Sequence, residues 1–412
     1  MRRVLKEFYH PLVSLVLLGI LSALYFGVLR TVWAVTGEFT RWGGHLLQFF
    51  GYPVQDLSYL KIVKIDKLPW ERGDGWVVFG MFAGALIAAL SGNNFKIRVP
   101  AQRRRLMQGI IGGMFSGFGA RMAMGCNLAA MFTGVPQFTL HAVFFTIGTI
   151  AGTWFGLRIA LHPLVLGTPK IVASGGKTIK STANKERGTQ PWLALILGLA
   201  FFWLIGQYFF NGLAQLAWAG LFGWIFGWLI QKGQVCFTSA FRDLWISGRA
   251  TMTKALVWGM AVQSVGTAVF IAQGIPAKVM WAGPNALIGG LLFGIGIVIA
   301  GGCETGWMYR AMEGQVHFWM VGIGNIIGAA ALTLLWDQGI YQKLAAPWPK
   351  VDLVRTLGWP GAFVVVYGFL SLLYIFARMI EKRKTFTSMV ELPINETIFT
   401  KGRRTDSGRN QN

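Results

Sequence analysis

The stretch Gly112–Cys126, GGMFSGFGARMAMGC, returns later in the chain as Gly289–Cys303, GGLLFGIGIVIAGGC. Seven of the fifteen positions are identical, and these are five glycines, one alanine and the final cysteine. The chain has only 3 cysteines, and the duplication places two of them at equivalent positions. The repeat therefore predicts one site that is assembled from two similar halves.

The composition is that of a membrane protein. Of the 412 residues 54% are hydrophobic and 13% are charged, whereas soluble domains have roughly 45–50% and about 25%. Apolar runs of the roughly 20 residues that cross a bilayer lie at Leu12–Thr36, Gly75–Asn93, Leu106–Phe132, Phe138–Leu161, Trp192–Phe210, Leu213–Ile230, Thr253–Gln273, Leu287–Gly302, Phe318–Trp336 and Trp359–Met379. We expect an all-α polytopic protein of about ten spans.

The net charge of +22 would suggest nucleic-acid binding in a soluble chain. The basic residues instead concentrate in alternate segments between the spans, at Arg2–Lys6, Lys96–Arg105, Lys170–Arg187, Lys232–Lys254 and Arg378–Arg409. Cytoplasmic loops carry such an excess, so we expect both termini in the cytoplasm. The lipid bilayer is then a partner, and nucleic acid is not.

A polar, basic stretch at 168–190 divides the chain near its middle. It predicts a cytoplasmic linker between two membrane halves, 1–167 and 191–380, with an external loop at 37–73 and a basic cytoplasmic tail at 381–412. On this topology the first copy of the repeat runs outward and the second runs inward. Antiparallel copies are the inverted-topology pattern of transporters.

The apolar pattern is interrupted after each Gly-Cys pair. We expect broken helices there, with backbone groups exposed at Gly125, Gly134, Gly302 and Gly306. A helix that breaks at membrane depth is tolerated where it lines a cavity or is buried in protein, and the amides that begin the next helix attract anions. Substrate selection is expected where the copies differ, at Asn127 in the first and Glu304 in the second.

The duplication favours a functional role for Cys126 and Cys303 over the alternative of small apolar filler. A thiol is soft and polarisable, and its weak S–H donor suits a sulfur or selenium anion. Cys236 has three open interpretations: an entrance or exit group, a reactive surface thiol, or an incidental residue.

Charges within membrane segments indicate either function or pairing. Arg121 would supply the counter-charge for an anion, or it would pair with a carboxylate. Arg310 and Glu313 are three residues apart and are expected to form a structural charge pair on one helix face. We find no catalytic triad, no ATP-binding loop and no metal-spaced cluster, so no catalytic residue, metal or cofactor is expected.

Three segments, Gly117–His141, Gly227–Leu244 and Gly294–Gly314, resemble the YeeE/YedE family of bacterial inner-membrane proteins. The runs SGNNFKIRVPAQRRR and GCNLAA are closer to the YedE branch. The resemblance implies transport, of thiosulfate for relatives of YeeE and of selenium compounds for the YedE branch. It also implies that Cys126 and Cys303 are central pathway cysteines, with Cys236 nearer one mouth.

The function we expect is uptake of a small sulfur- or selenium-containing anion through a cysteine-lined pathway, without enzymatic catalysis. Two alternatives stay open. One is a membrane-embedded sulfur or selenium transfer protein that works with a cytosolic sulfur- or selenium-carrier protein. The other is a non-transporting membrane subunit of a redox complex.

Overall fold

A computed structural model describes residues 7–166 and 189–390. These residues form an all-helical, multi-pass architecture with three isolated β-bridges. The helices of the first half are α1 (Pro11–Leu29), α2 (Thr36–Phe49), α3 (Ser58–Val63), α4 (Gly73–Ser91), α5 (Arg103–Met122), α6 (Leu140–Leu161) and α7 (Pro163–Leu166). Those that follow are α8 (Gln190–Phe210), α9 (Ala214–Gly233), α10 (Phe237–Ser247), α11 (Thr251–Ala272), α12 (Pro284–Ala300), α13 (Glu304–Met312), α14 (Val316–Leu335) and α15 (Leu353–Val390).

Short helical turns complete the described chain. They are the 3-10 turns Pro69–Glu71 and Val135–Gln137 and the π-helical segments Asn127–Phe132 and Trp336–Ala345. The predicted linker at 168–190 and tail at 381–412 fall largely outside the described residues.

Eight helical segments of the described chain are long and apolar enough to cross a membrane. They correspond to α1, α4, α6, α8, α11, α12 with α13, α14 with the π-helical segment after it, and α15. The remaining two of the ten predicted spans are α5 and α9, which have 20 residues each. Glycine and arginine make α5 much less apolar than its neighbours.

The first span is shorter than predicted. Helix α1 ends at Leu29 and not near Thr36, because Arg30 adopts a left-handed conformation with φ 54°. Helix α2 then begins at Thr36, the last residue of the predicted span, and continues to Phe49 in the segment that the sequence predicted as a loop. The loop at 37–73 is thus mostly helical.

The two copies of the repeat pack directly against each other through α5 and α12. A methyl group added at Gly289 would lie 2.7 Å from the carbonyl oxygen of Gly119, and one at Gly296 would lie 2.7 Å from that of Gly112. Glycine therefore lets the two backbones touch. In lipid, where apolar side chains gain little from mere contact, this is how helices associate.

Each of these helices also packs on a second partner through the same kind of contact. Helix α5 packs on α14, where Gly113 and Gly117 face backbone carbonyls of Val321 and Asn325. Helix α12 packs on α6, where a methyl group at Gly290 would lie 2.5 Å from the carbonyl oxygen of Phe145. On the periphery, α1 packs on α11 and α4 packs on α9.

Both helices of the repeat stop before their cysteines. Helix α5 ends at Met122 and α12 at Ala300. The chain then turns through a short non-helical link into a new helical segment that begins immediately after each cysteine. The helix breaks lie where the sequence predicted them, and protein covers them on all sides because Cys126 and Cys303 are 0% and 1% exposed.

We predict that Gly290→Ala lowers the unfolding temperature of the purified protein, because the added methyl overpacks the α6–α12 contact. Overpacking of this kind costs about 1–3 kcal/mol. The matched control is Gly206→Ala in α8, where an added methyl meets nothing within 4 Å. Thermal unfolding in detergent measures both. Equal shifts for the two variants would contradict the close-packing account.

Candidate functional site

Each of the three cysteines is the residue that immediately precedes a helix. Cys126 precedes the π-helical segment, Cys236 precedes α10, and Cys303 precedes α13. Their sulfurs face the backbone N–H three positions further on, at a looser geometry than a regular capping hydrogen bond. Helix starts carry unpaired amides and positive potential, so each thiol lies where an anion is favoured.

The same backbone conformation precedes all three cysteines. A helix ends, the residue two before the cysteine takes a left-handed conformation, and the cysteine follows in extended conformation. The left-handed residues are Met124 (φ 61°), Gln234 (φ 48°) and Gly301 (φ 78°). A non-glycine residue in this region is strained by roughly 1–2 kcal/mol, so the surrounding packing holds Met124 and Gln234 in place.

The structure brings Cys236 and Cys303 together. Their thiols interact directly, and both sulfurs lie next to Gly306, where an added methyl would be 2.7 Å from the Cys236 sulfur and 3.5 Å from the Cys303 sulfur. The Cys303 sulfur also lies 3.2 Å from the hydroxyl of Thr305. Cys236 is only 1% exposed, so it is not a surface thiol.

Cys126 belongs to a second polar cluster that adjoins the first. Its thiol lies beside the carboxyl group of Glu304 and the hydroxyl of Thr36. The Asn325 amide donates a hydrogen bond of 3.1 Å to Glu304 Oε1, and it is 3.2 Å from the hydroxyl of Ser116. Since Glu304 directly follows Cys303, it connects the two thiol clusters.

Asn127 and Glu304 occupy the same place after their cysteines but have different surroundings. Both are buried, at 1% exposure. Neither amide atom of Asn127 has a hydrogen-bond partner, and neither does Glu304 Oε2. The two copies of the site therefore present different unsatisfied polar atoms next to their thiols.

A cavity of 130 Å³ lies between α2 and α3, close to the first cysteine. We refer to it as the α2–α3 cavity; its lining includes Thr36, Ala129, Arg121, Arg41, Asp74, Tyr59 and Lys278. Thr36 and Ala129 are also the neighbours of the Cys126 sulfur. The cavity and the thiol thus share these two neighbours.

The α2–α3 cavity carries an excess of positive charge. Arg41 is paired with Glu38 and Asp74, at 3.0 Å and 2.8 Å. Arg121 is 4% exposed, it forms no ion pair within the described residues, and its Nε and Nη2 atoms have no hydrogen-bond partner. Lys278, in the segment between α11 and α12, has an exposed side chain, and partial desolvation by the protein atoms around it lowers its pKa.

The four glycines predicted to line the broken segments differ in their surroundings. Gly306 adjoins the sulfurs, as described above. Gly125 packs against Ala130, Gly134 lies in the turn after the π-helical segment and accepts a hydrogen bond from Thr139, and Gly302 packs against the Phe318 ring.

The predicted charge pair of Arg310 with Glu313 is wrong. Arg310 donates to the carbonyl oxygen of Gly301 at 3.0 Å and to the hydroxyl of Tyr309. Glu313 instead accepts hydrogen bonds from three glutamine side chains, those of Gln231, Gln234 and Gln315. Each side chain therefore has other partners, which tertiary packing brings near it, and the i, i+3 spacing alone does not decide the pairing.

Sequence reasoning missed Thr36, Asn325 and Lys278. Thr36 and Asn325 resemble ordinary polar residues in membrane helices, and Lys278 lies in a short link between spans. The contact of Cys236 with Cys303 had no local signal, because it joins segments that are far apart in the sequence. The glycines that precede each cysteine by one or three residues, Gly125, Gly233 and Gly302, mark helix ends.

Comparison with known proteins establishes the family. The family model described as sulphur transport matches residues 1–155 and 232–405. The chain belongs to the YeeE/YedE sulphur-transport family. The resemblance of the three cysteine segments is thereby confirmed, and the protein is a multi-pass membrane protein of a transporter family.

Two relatives extend over nearly the whole chain. The probable transporters YedE of Escherichia coli and of Salmonella typhimurium are each 50% identical over 366 residues, which is 88% of this chain and 90% of theirs. The thiosulfate transporter TsuA of Escherichia coli is 37% identical over 124 residues, 30% of this chain and 35% of its own. No solved structure matches significantly.

The contact between the two thiols predicts a specific crosslink. Treatment of the detergent-solubilised protein with a small membrane-permeant oxidant such as diamide should join Cys236 to Cys303, because adjacent thiols exchange readily to a disulfide. Cys126 should remain alkylatable after denaturation. Peptide mass spectrometry identifies the linked pair. Cys126→Ser should preserve the crosslink and Cys236→Ser should abolish it; a crosslink between Cys126 and either partner would contradict the arrangement.

Proposed function

We propose that the protein takes up a small sulfur- or selenium-containing anion across the bacterial inner membrane. Cys126 makes the first contact, and Cys303 with Cys236 makes the next. The observation that carries the proposal is the unpaired guanidinium of Arg121, which lines the α2–α3 cavity together with Thr36 and Ala129, the neighbours of the Cys126 thiol. A buried cation without a carboxylate partner is costly, and a transported anion would satisfy it.

The thiols suit a weak, sequential pathway. Permeation requires that each site binds an ion strongly enough to admit it and weakly enough to release it. A thiol at a helix start offers a soft surface and an S–H donor in positive potential, without a fixed charge of its own. Three such sites, two of them in contact, support the stepwise transfer of a chalcogen anion.

Fixed positive charge lies at both ends of the thiol clusters. Arg121 and Lys278 line the α2–α3 cavity on one side. Beyond Cys236 and Cys303 lies Arg310, which acts electrostatically on both thiols. Cations at the two mouths raise the local concentration of an anion and speed its entrance. The neutral thiols lie between them.

The probable transporters YedE match 88% of this chain, while the similarity to the thiosulfate transporter TsuA covers less than a third of it. We propose selenium-containing anions and thiosulfate as the candidate substrates. The choice between them would be made by Asn127 and Glu304, the unequal residues after the equivalent cysteines.

The proposed architecture relates four spans of the first half to four spans of the second half by inverted topology, with both termini in the cytoplasm. A pseudo-twofold rotation would place α1 on α9, α4 on α11, α5 on α12 and α6 on α14. It would then place the α1–α11 pair on the α9–α4 pair, and the α12–α6 pair on the α5–α14 pair. All of these pairs are in contact. This correspondence supports a pseudo-twofold axis through the α5–α12 contact, next to the thiols.

A transfer protein that receives sulfur or selenium from a cytosolic carrier remains the alternative class. It would use Cys236 as the receiving thiol. The burial of Cys236 against Cys303 gives this alternative no support, because a protein partner could not reach the sulfur without opening the bundle.

We predict that Cys126→Ala and Cys303→Ala each reduce uptake at least tenfold, because each removes one contact of the pathway. Proteoliposomes loaded with the purified protein and supplied with labelled thiosulfate, selenite or selenosulfate provide the measurement. Cys236→Ala should also reduce uptake, since its sulfur touches that of Cys303. Normal uptake by all three variants would contradict the proposal.

Lys278→Gln should raise the KM for uptake several-fold with little change in the maximal rate, because it weakens capture in the α2–α3 cavity. Wild-type uptake should also decline as the pH rises through the Lys278 pKa, because deprotonation removes a positive charge from the cavity lining; partial desolvation by the surrounding protein lowers this pKa. Lys278→Arg should remove the alkaline decline. The control is Lys61→Gln, at an exposed lysine outside the cavity; an equal effect there would indicate general surface charge.

A further inference from the structure

Glu304 is a buried carboxyl group inside the membrane region, and it forms no ion pair within the described part of the chain. One oxygen, Oε1, accepts a hydrogen bond from Asn325. The other, Oε2, is buried without any hydrogen-bond partner. An isolated carboxylate is expensive in such a position. A protonated carboxyl group costs much less, and its O–H would give the unpartnered oxygen a donor to offer.

The position of Glu304 places it on the proposed route. Its side chain lies against the Cys126 thiol, and its backbone continues from Cys303. An anion that moves from the first thiol to the second must therefore pass the carboxyl group. An ionised Glu304 carboxylate would repel the anion, whereas a protonated carboxyl group donates a hydrogen bond to it. This geometry therefore links the passage of the anion to the protonation of Glu304.

Few titratable groups face Glu304. Those that act on it from neighbouring segments are the Cys126 thiol and the guanidinium of Arg121, and Asn325 contributes a neutral amide from α14. On α10, which also packs against α13, Arg242 and Asp243 pair with each other at 2.8 Å. At the end of α9, Lys232 packs beside Gly92 of the α4 terminus and over the Trp228 ring, away from the thiols.

We propose that Glu304 carries a proton with the transported anion, so that uptake is proton-coupled symport with one proton for each anion. A proton from water in the α2–α3 cavity binds Glu304 Oε2, and the O–H then donates to the anion at Cys126. The anion moves on to the Cys303–Cys236 pair. The proton leaves towards the cytoplasm, the carboxylate re-forms, and no other bond is made or broken.

The two copies of the repeat differ at the residue after the cysteine, and this difference explains why there is a single site for proton coupling. The position equivalent to Glu304 in the first copy is Asn127, whose amide does not titrate in the physiological range. Of the two residues that follow the repeated cysteines, only Glu304 can therefore take up a proton. This inference rests on the proposed function, since it assumes that an anion passes the thiols.

The test uses the full-length protein in proteoliposomes whose membrane potential is clamped at zero. Counterflow exchange first shows which of labelled thiosulfate, selenite or selenosulfate the wild type carries. Accumulation of that anion is then measured with the outside one pH unit more acid than the inside. With one proton per anion, the limiting accumulation is about tenfold. Inward proton movement, followed with a trapped pH dye, should start when the anion is added.

Glu304→Gln should keep counterflow exchange, because the amide can donate to the anion as the protonated acid does. It should lose both the gradient-driven accumulation and the proton movement. Glu304→Asp should retain coupled uptake at a reduced rate. The matched control is Glu313→Gln, which alters a buried carboxyl group held by glutamine amides outside the pathway and should leave the accumulation unchanged.

Three results would overturn the inference. The first is wild-type exchange without any accumulation by the pH gradient. The second is undiminished accumulation by Glu304→Gln. The third is loss of accumulation by Glu304→Gln and Glu313→Gln alike. An absence of wild-type exchange for all three anions would instead contradict the proposed function itself. Size-exclusion profiles and thermal unfolding establish that each variant is folded before its transport is compared.

Discussion

The close backbone contact between α5 and α12 is the constraint on which the rest of the structure depends. Both helices end inside the protein, and a helix that ends at membrane depth exposes amides and carbonyls that lipid cannot satisfy. Gly112 and Gly119 of α5 meet Gly296 and Gly289 of α12 without intervening side chains. The broken ends are therefore enclosed by protein. Any larger residue in this seam would separate the two halves of the site.

The same seam explains why weakly polar groups are assembled where the membrane would otherwise exclude them. Glu304 and Asn325 satisfy one another only in part, and Glu304 Oε2 and both amide atoms of Asn127 have no hydrogen-bond partner. Unsatisfied polar atoms in a well-packed interior need a physical explanation, and the ligand site that we propose provides one. The unpaired charge of Arg121 at the edge of the cluster favours an anion as that ligand.

Much of the fold was predictable because it follows from periodic, local signals. Hydrophobic length gave the helices, and glycine repeats gave the central pair. The helix breaks followed from Gly-Cys and the polar residues after it. The contact of Cys236 with Cys303 was not predictable in this way, since it joins distant segments through tertiary packing. The Arg310–Glu313 prediction was wrong because tertiary packing supplies each side chain with other partners, the Gly301 carbonyl for Arg310 and three glutamine amides for Glu313. The number of spans and the inverted repeat remain predictions, although the correspondence of helix pairs supports the latter.

The central claim is that the buried thiols contact the transported anion. The most direct measurement is the anomalous selenium signal in crystals of the protein grown with selenosulfate or selenite, with the substrate-free protein as reference. The account predicts a selenium peak in contact with the Cys126 sulfur or beside the Cys236–Cys303 pair, and loss of the peak at Cys126 in Cys126→Ala. Selenium bound only elsewhere, in protein that transports the same anion, would contradict it.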